Sequence, residues 1–180
     1  MCIRDRDVAE DLSHVPSGLI SEYCASGGTW LTGDSKVRAK AEELAGNSTK
    51  VLTIVEALIR WIRSNVNYSS GELPRYPNET LAERRGDCDD QSILLITMCR
   101  ILGIPAYLQI GCVLRKEITA DVSVWSGHVK IRADGVGWHG WSMVYIPPWG
   151  WLPVDLTYVT AWWSGLVPEI EHAGIYEDYI

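Results

Sequence analysis

An α+β fold is the expectation for this chain of 180 residues, and three features of the sequence lead to it. Helical periodicity fills the first half, a run that is apolar nearly all round lies near the middle, and β-branched and aromatic segments broken by glycine and proline fill the second half. Helices followed by strands imply segregation, with a buried central helix packed on a mostly antiparallel sheet. Hydrophobic residues make up 47% of the chain, enough for one core that buries roughly 70% of the unfolded surface.

The elements follow in chain order. Residues 1–35 are polar and dotted with glycine and serine, and we expect an N-terminal arm lying extended on the domain, with a short element near Val8 to Leu12. Residues 36–45 are rich in Ala, Glu and Lys and stop at Gly46, which predicts a helix with a glycine end. Ser48 or Thr49 can cap a second helix, in which Val51, Ile54, Val55, Leu58, Ile59 and Ile62 recur at three- and four-residue spacing and form one buried face. A Gly/Pro loop follows, then a helix from Cys88 to Leu102, apolar on all sides and ended by Gly103 and Pro105. Beyond Tyr107 the runs YLQIGCVL, HVKIR, WSMVYI and WLPVDL predict four strands. Residues 36–165 are expected to form the main domain and residues 166–180 a C-terminal extension.

Composition excludes several functions. Sixteen basic and twenty-three acidic residues give a net charge of −7 with no basic stripe, so a nucleic-acid partner is not expected. Five cysteines, Cys2, Cys24, Cys88, Cys99 and Cys112, are odd in number and lack a CxxC pair, which argues against a disulfide framework and a zinc ribbon and leaves at least one thiol free. Neither a signal peptide nor a membrane span is visible, so the chain as written is expected in the cytoplasm; an upstream segment missing before Met1 to Arg6 would allow an extracytoplasmic setting.

Cys88 lies in Gly86-Asp87-Cys88-Asp89-Asp90 at the start of the central helix, with Asp87 placed as N-cap and Asp90 three residues on, reaching back. Unpaired N–H groups and the helix dipole favour a thiolate there, and the Cys88 N–H can donate to an oxyanion. The neighbouring carboxylates oppose this, so activation needs an imidazolium. Position alone is equally compatible with a small buried cysteine at a helix end. Of the four histidines, His14 and His172 fall in surface-like segments, while His128 and His139 each border a predicted strand, and the pattern does not choose between them. Asp155 lies inside the apolar run WLPVDL, where a carboxylate is costly unless it is paired, and an imidazole on the adjoining strand would satisfy it. The turn Pro147-Pro148-Trp149-Gly150 makes the strands bearing His139 and Asp155 hairpin neighbours.

The segment ETLAERRGDCDDQSILLITMCRILGIPAYLQIG followed by HGWSMVYIPPWGWLPVDLT resembles the transglutaminase-like superfamily, its archaeal and bacterial members most. Three motifs stand in the family's order over roughly residues 50 to 160: a cysteine at a helix start before a GIPA sequence, His139-Gly140-Trp141 on one strand, and Gly150-Trp151 with Asp155-Leu156-Thr157 on the next. The resemblance favours His139 over His128. It implies a papain-like cysteine-proteinase fold and a catalytic triad of Cys88 as nucleophile, His139 as base and then acid, and Asp155 as orienter. It also implies acyl transfer from a peptide or protein amide to water, or to a primary amine, without a cofactor. Tyr107 stands where the family often has Arg after GIPA. Trp61 and Tyr68 lie upstream of Cys88 as unselected candidates for a second oxyanion donor.

Other readings compete. Gly135-Val136-Gly137-Trp138-His139-Gly140 matches the dinucleotide pattern G-x-G-x-x-G, yet an alternating strand follows it instead of a helix. Asp87, Asp89 and Asp90 lack the order of a calcium loop and suit helix capping better than a metal. Most of the nine tryptophans are expected in the core, with Trp138 and Trp141 as candidates for a substrate cleft. A binding module that keeps this fold without turnover remains the rival to a peptide or isopeptide hydrolase, and amine transfer is the second enzymatic reading.

Overall fold

A computed structural model describes residues 9–25, 27–71 and 73–157. The expectations for Met1 to Arg6, Cys2, His172 and the C-terminal extension fall outside the described residues. Among the described residues five α-helices form: α1 Ser17–Tyr23, α2 Ser35–Ala45, α3 Val51–Asn65, α4 Pro77–Glu83 and α5 Cys88–Ile101. Five strands accompany them: β1 Asn67–Tyr68, β2 Arg85–Gly86, β3 Ala106–Val124, β4 Val129–Ile146 and β5 Gly150–Val154.

Local chemistry explains the helix boundaries. Asp34 caps α2 by accepting from the N–H groups of Lys36 and Val37. The six aliphatic residues expected on one face of α3 are all buried, each contributing about 1.5–3 kcal/mol relative to exposure. Its capping departs from expectation. Lys50 holds the N-cap position without a side-chain bond, and Thr49 instead donates to Asp11 at 2.6 Å. That bond helps strap the N-terminal segment down, together with Leu12 N–H to the Thr49 carbonyl and Glu10 N–H to the Pro147 carbonyl. The described part of the segment is not extended throughout: it contains α1, and Leu12, Ile20 and Trp30 pack on the core. Its apolar residues are too sparse to show the period that would reveal a seven-residue helix.

From Asp90 to Arg100 every residue of α5 is buried, as expected for a central helix. It packs on the antiparallel sheet β3-β4-β5, while β1 and β2 form a separate parallel pair. Ser142, Val144 and Ile146 of β4 are fully buried. Ser142 Oγ donates to the Ser92 carbonyl at 3.3 Å and Ser92 Oγ to the Gly140 carbonyl at 3.4 Å, tying helix to sheet. The four expected runs are three strands, because HVKIR and WSMVYI are one continuous β4. The glycines read as a break sit inside it, and Gly135, with a positive φ of 74°, lies where the β3–β4 register shifts between Leu114 and Thr119. The G-x-G-x-x-G match therefore lies within a strand and offers no helix start to a pyrophosphate.

β2 and the start of α5 meet in a very small space. A Cβ placed on the buried Gly86 would sit 2.5 Å from Asp90 Cβ. Gly86→Ala is expected to cost about 1–3 kcal/mol by overpacking, read as a lowered urea midpoint; an unchanged midpoint would show that the α5 start adjusts freely.

Candidate active site

The start of α5 is held by a reciprocal cap. Asp87 accepts from the Asp90 N–H, and Asp90 Oδ2 accepts from the Asp87 N–H at 3.2 Å. Asp90 is 1% exposed, and it also accepts from the Arg75 N–H at 2.5 Å and from Arg75 Nη1 at 2.8 Å. Gly71 N–H donates to Asp87 Oδ2 at 3.2 Å, so the loop before α4 runs alongside the first turn of α5. Cys88, the first residue of that turn, is half-buried.

The β4–β5 register pairs Ser142 with Val154, so one further step sets Asp155 across from Trp141 and on the same face as His139, two residues earlier. His139 Nε2 lies 2.5 Å from Asp155 Oδ2, and both side chains are buried. Asp155 Oδ1 accepts from Thr157 N–H at 2.9 Å, which orients the carboxylate. The Cys88 thiol donates to Asp89 Oδ1 at 3.8 Å, and it lies near enough to the imidazole for its charge to act on it. Burial disfavours the imidazolium, but the interactions with Asp155 and Cys88 outweigh it and push His139 up from 6.5 to about 9. Cys88, His139 and Asp155 thus come together.

Gly140 is what lets helix and strand meet. A methyl group there would lie 3.3 Å from Ile110 Cδ1, 3.4 Å from Asp89 Cβ and 3.5 Å from Leu108 Cδ1. Trp141 stacks on the His139 ring with centroids 5.9 Å apart, whereas Trp138 is 73% exposed. His128 sits exposed at the far end of the β3–β4 hairpin, roughly 30 Å of strand from His139. His14 is exposed in the turn Leu12–His14.

Of the two upstream aromatics, Trp61 is occupied elsewhere, with the Arg84 guanidinium 4.4 Å and the Lys40 ammonium 5.5 Å from its ring. Tyr68 pairs with Gly86 across β1 and β2, two residues before Cys88. Burial, followed by the negative charges of Cys88, Asp87 and Asp89, pushes its phenol above its ordinary value, so it stays a proton donor beside the thiol. Burial and the neighbouring Asp89 likewise raise the Asp87 carboxyl. Asp87, Cys88 and Asp89 bring ligand atoms within 4.8 Å of one another, a geometry open to a metal ion, but both Asp87 carboxylate oxygens already serve backbone N–H groups. Arg75, bonded to Asp90, and Leu108, packed over Gly140, stand near this site without having been expected there. They arrive through tertiary packing, and no local pattern marks them.

Residues 38–156 match the family model described as the transglutaminase-like superfamily. Among solved structures, the chain is similar to one described as a candidate cysteine protease from Cytophaga hutchinsonii, with 22% identity and a TM-score of 0.62 over 85% of this chain and 46% of that one. It is also similar to the periplasmic domain of TgpA from Pseudomonas aeruginosa, with 21% identity and a TM-score of 0.58 over 81% of this chain and 49% of that one. The chain therefore spans about half the length of these structures, and the likeness is one of fold. No curated protein matches the chain. Among the described residues no helix is long and apolar enough to cross a membrane.

The raised His139 has a consequence for stability. Its folded value of about 9 exceeds the ordinary 6.5, so its contribution is fully present below about pH 6.5 and is lost as pH rises through about 9. The stability advantage of the wild type over His139→Gln, from urea unfolding, is expected to shrink by on the order of 3 kcal/mol between about pH 6 and pH 10. A pH-independent difference would mean that the imidazolium is not held by its partners.

Proposed function

Because the chain belongs to the transglutaminase-like superfamily, we propose that it performs cysteine-dependent acyl transfer on peptide or glutamine-type amides, with Cys88 as nucleophile, His139 as general base and then acid, and Asp155 as orienter. The observation that carries this reading is the His139 imidazole, bonded to buried Asp155 and pushed up to about 9 by Asp155 and the nearby Cys88. An imidazolium there stabilises the thiolate against the nearby Asp87 and Asp89 carboxylates.

In the reaction the thiolate adds to the amide carbonyl, forming the C–S bond and moving the carbonyl π pair onto oxygen. The Cys88 N–H, at the first turn of α5, donates to that oxyanion, and the Tyr68 hydroxyl is our choice for the second donor because it borders the thiol. Collapse breaks the C–N bond, and His139 protonates the departing amine, leaving a thioester. Water then attacks the thioester while His139 accepts its proton, and the thiolate leaves.

Hydrolysis is our first reading because the rim is open: Tyr68, beside the thiol, is 64% exposed, so water reaches the acyl-enzyme. Amine transfer is the second, favoured by Asp87 and Asp89 beside Cys88, whose negative charge draws cationic amines.

Alkylation by iodoacetamide at about pH 6.5, with mass-spectrometric assignment, tests the reading. Cys88 is expected to react well ahead of Cys24 and Cys99, whose thiols burial pushes upward, and His139→Ala should remove that advantage. Tyr68→Phe should keep the alkylation rate while lowering kcat for peptide-amide hydrolysis by about 10²–10³. Cys88 reacting no faster than Cys24 would favour a non-catalytic binding module.

A further inference from the structure

A cavity of about 560 Å³ opens between the loop before α4 and strand β3. Its walls are Trp30, Leu73, Pro74, Tyr76, Ile93 and Leu108. Ile93 lies one helical turn beyond Asp89, and about 7.5 Å along the α5 axis from Cys88. Leu108 Cδ1 and Asp89 Cβ both approach the same point over Gly140, the residue after His139. The cavity therefore borders the junction at which Cys88 and His139 meet.

Its walls are fixed in advance. Arg75 N–H and guanidinium hold the loop to buried Asp90. The Arg100 guanidinium lies 4.1 Å from the Trp30 ring, and Arg100 Nε donates to the Ala106 carbonyl at the start of β3 at 2.8 Å. Pre-set walls spare a ligand the cost of ordering them.

The chemistry selects the occupant. Among the described lining residues the one cation is Arg75, and its charge is already balanced by Asp90 at 2.8 Å and Glu83 at 3.7 Å, which weakens its pull on an acidic side chain. Among the described residues the lining carries no carboxylate to meet a basic one, and it is mostly apolar. Leu73 is 78% exposed and Tyr76 51%, leaving apolar surface at the mouth uncovered. The volume falls within the range of small-ligand sites and exceeds what one aliphatic side chain fills.

We propose that this cavity receives a large apolar side chain of the substrate, carried within one or two residues of the attacked carbonyl, and so sets which peptides the site accepts. The inference rests on the acyl-transfer reading above. It is tested on the full chain with peptidyl acyloxymethyl ketones carrying Gly, Leu, Phe, Asp or Lys at those positions, scoring the rate at which Cys88 is labelled, beside iodoacetamide as a probe that needs no cavity. Leu and Phe reagents are expected to label Cys88 at least about tenfold faster than the Gly, Asp and Lys reagents. Leu73→Asp, a change at an exposed position at the mouth, should reduce that ratio while iodoacetamide labelling stays at the wild-type rate. Rapid iodoacetamide labelling with no preference for Leu or Phe, or a preference that survives Leu73→Asp, overturns the cavity assignment alone. Failure of iodoacetamide to single out Cys88 overturns the acyl-transfer reading and the cavity assignment with it.

Discussion

The Asp90 carboxylate is withdrawn from water and accepts from the Asp87 N–H, the Arg75 N–H and the Arg75 guanidinium. A buried charge of this kind persists only where its partners are fixed. Those partners are the cap of α5 and the loop that precedes α4. One side chain therefore sets where the first turn of α5 begins, which places Cys88, and where the loop runs, which forms one wall of the cavity. Gly86 must lack a side chain because Asp90 Cβ occupies the space.

On the sheet side the corresponding constraint is the β4–β5 hairpin. Its turn, with a cis peptide between Pro147 and Pro148, brings Asp155 back beside His139. The outer face of that hairpin is covered by aromatic packing: Trp151 lies 4.9 Å from both Tyr23 and Tyr107 and 5.6 Å from Tyr145, centroid to centroid. Tyr107, the departure from the family's GIPA-Arg pattern, belongs to this cluster and serves packing. The N-terminal segment thus contributes to the site indirectly, since Tyr23 of α1 seals the face of the strands that present His139 and Asp155.

How far the sequence disclosed this depends on whether a feature is local. The α3 face and the all-round apolar α5 were legible because a helical period repeats several times, and the Asp87–Asp90 cap because both members lie within four residues. Asp155 stood out as a carboxylate in an apolar run, and the strand alternation plus the short turn aimed it at His139. The continuity of β4 was not legible, since Gly135 looks the same in a turn and in a register shift. Nor was the α3 cap, because Thr49 serves Asp11, thirty-eight residues away. Trp30, Arg75 and Leu108 come from three distant segments, and only packing joins them at the cavity.

In the proposed reaction Cys88 carries the acyl group, and acid-quenched intact-mass spectrometry of the chain during turnover of an activated peptide ester tests this most directly. One acyl adduct is predicted, located on Cys88, cleared by hydroxylamine as a thioester should be, and absent from Cys88→Ala and His139→Ala. An adduct that persists in Cys88→Ala, or turnover without any adduct on Cys88 under conditions that trap thioesters, would contradict it.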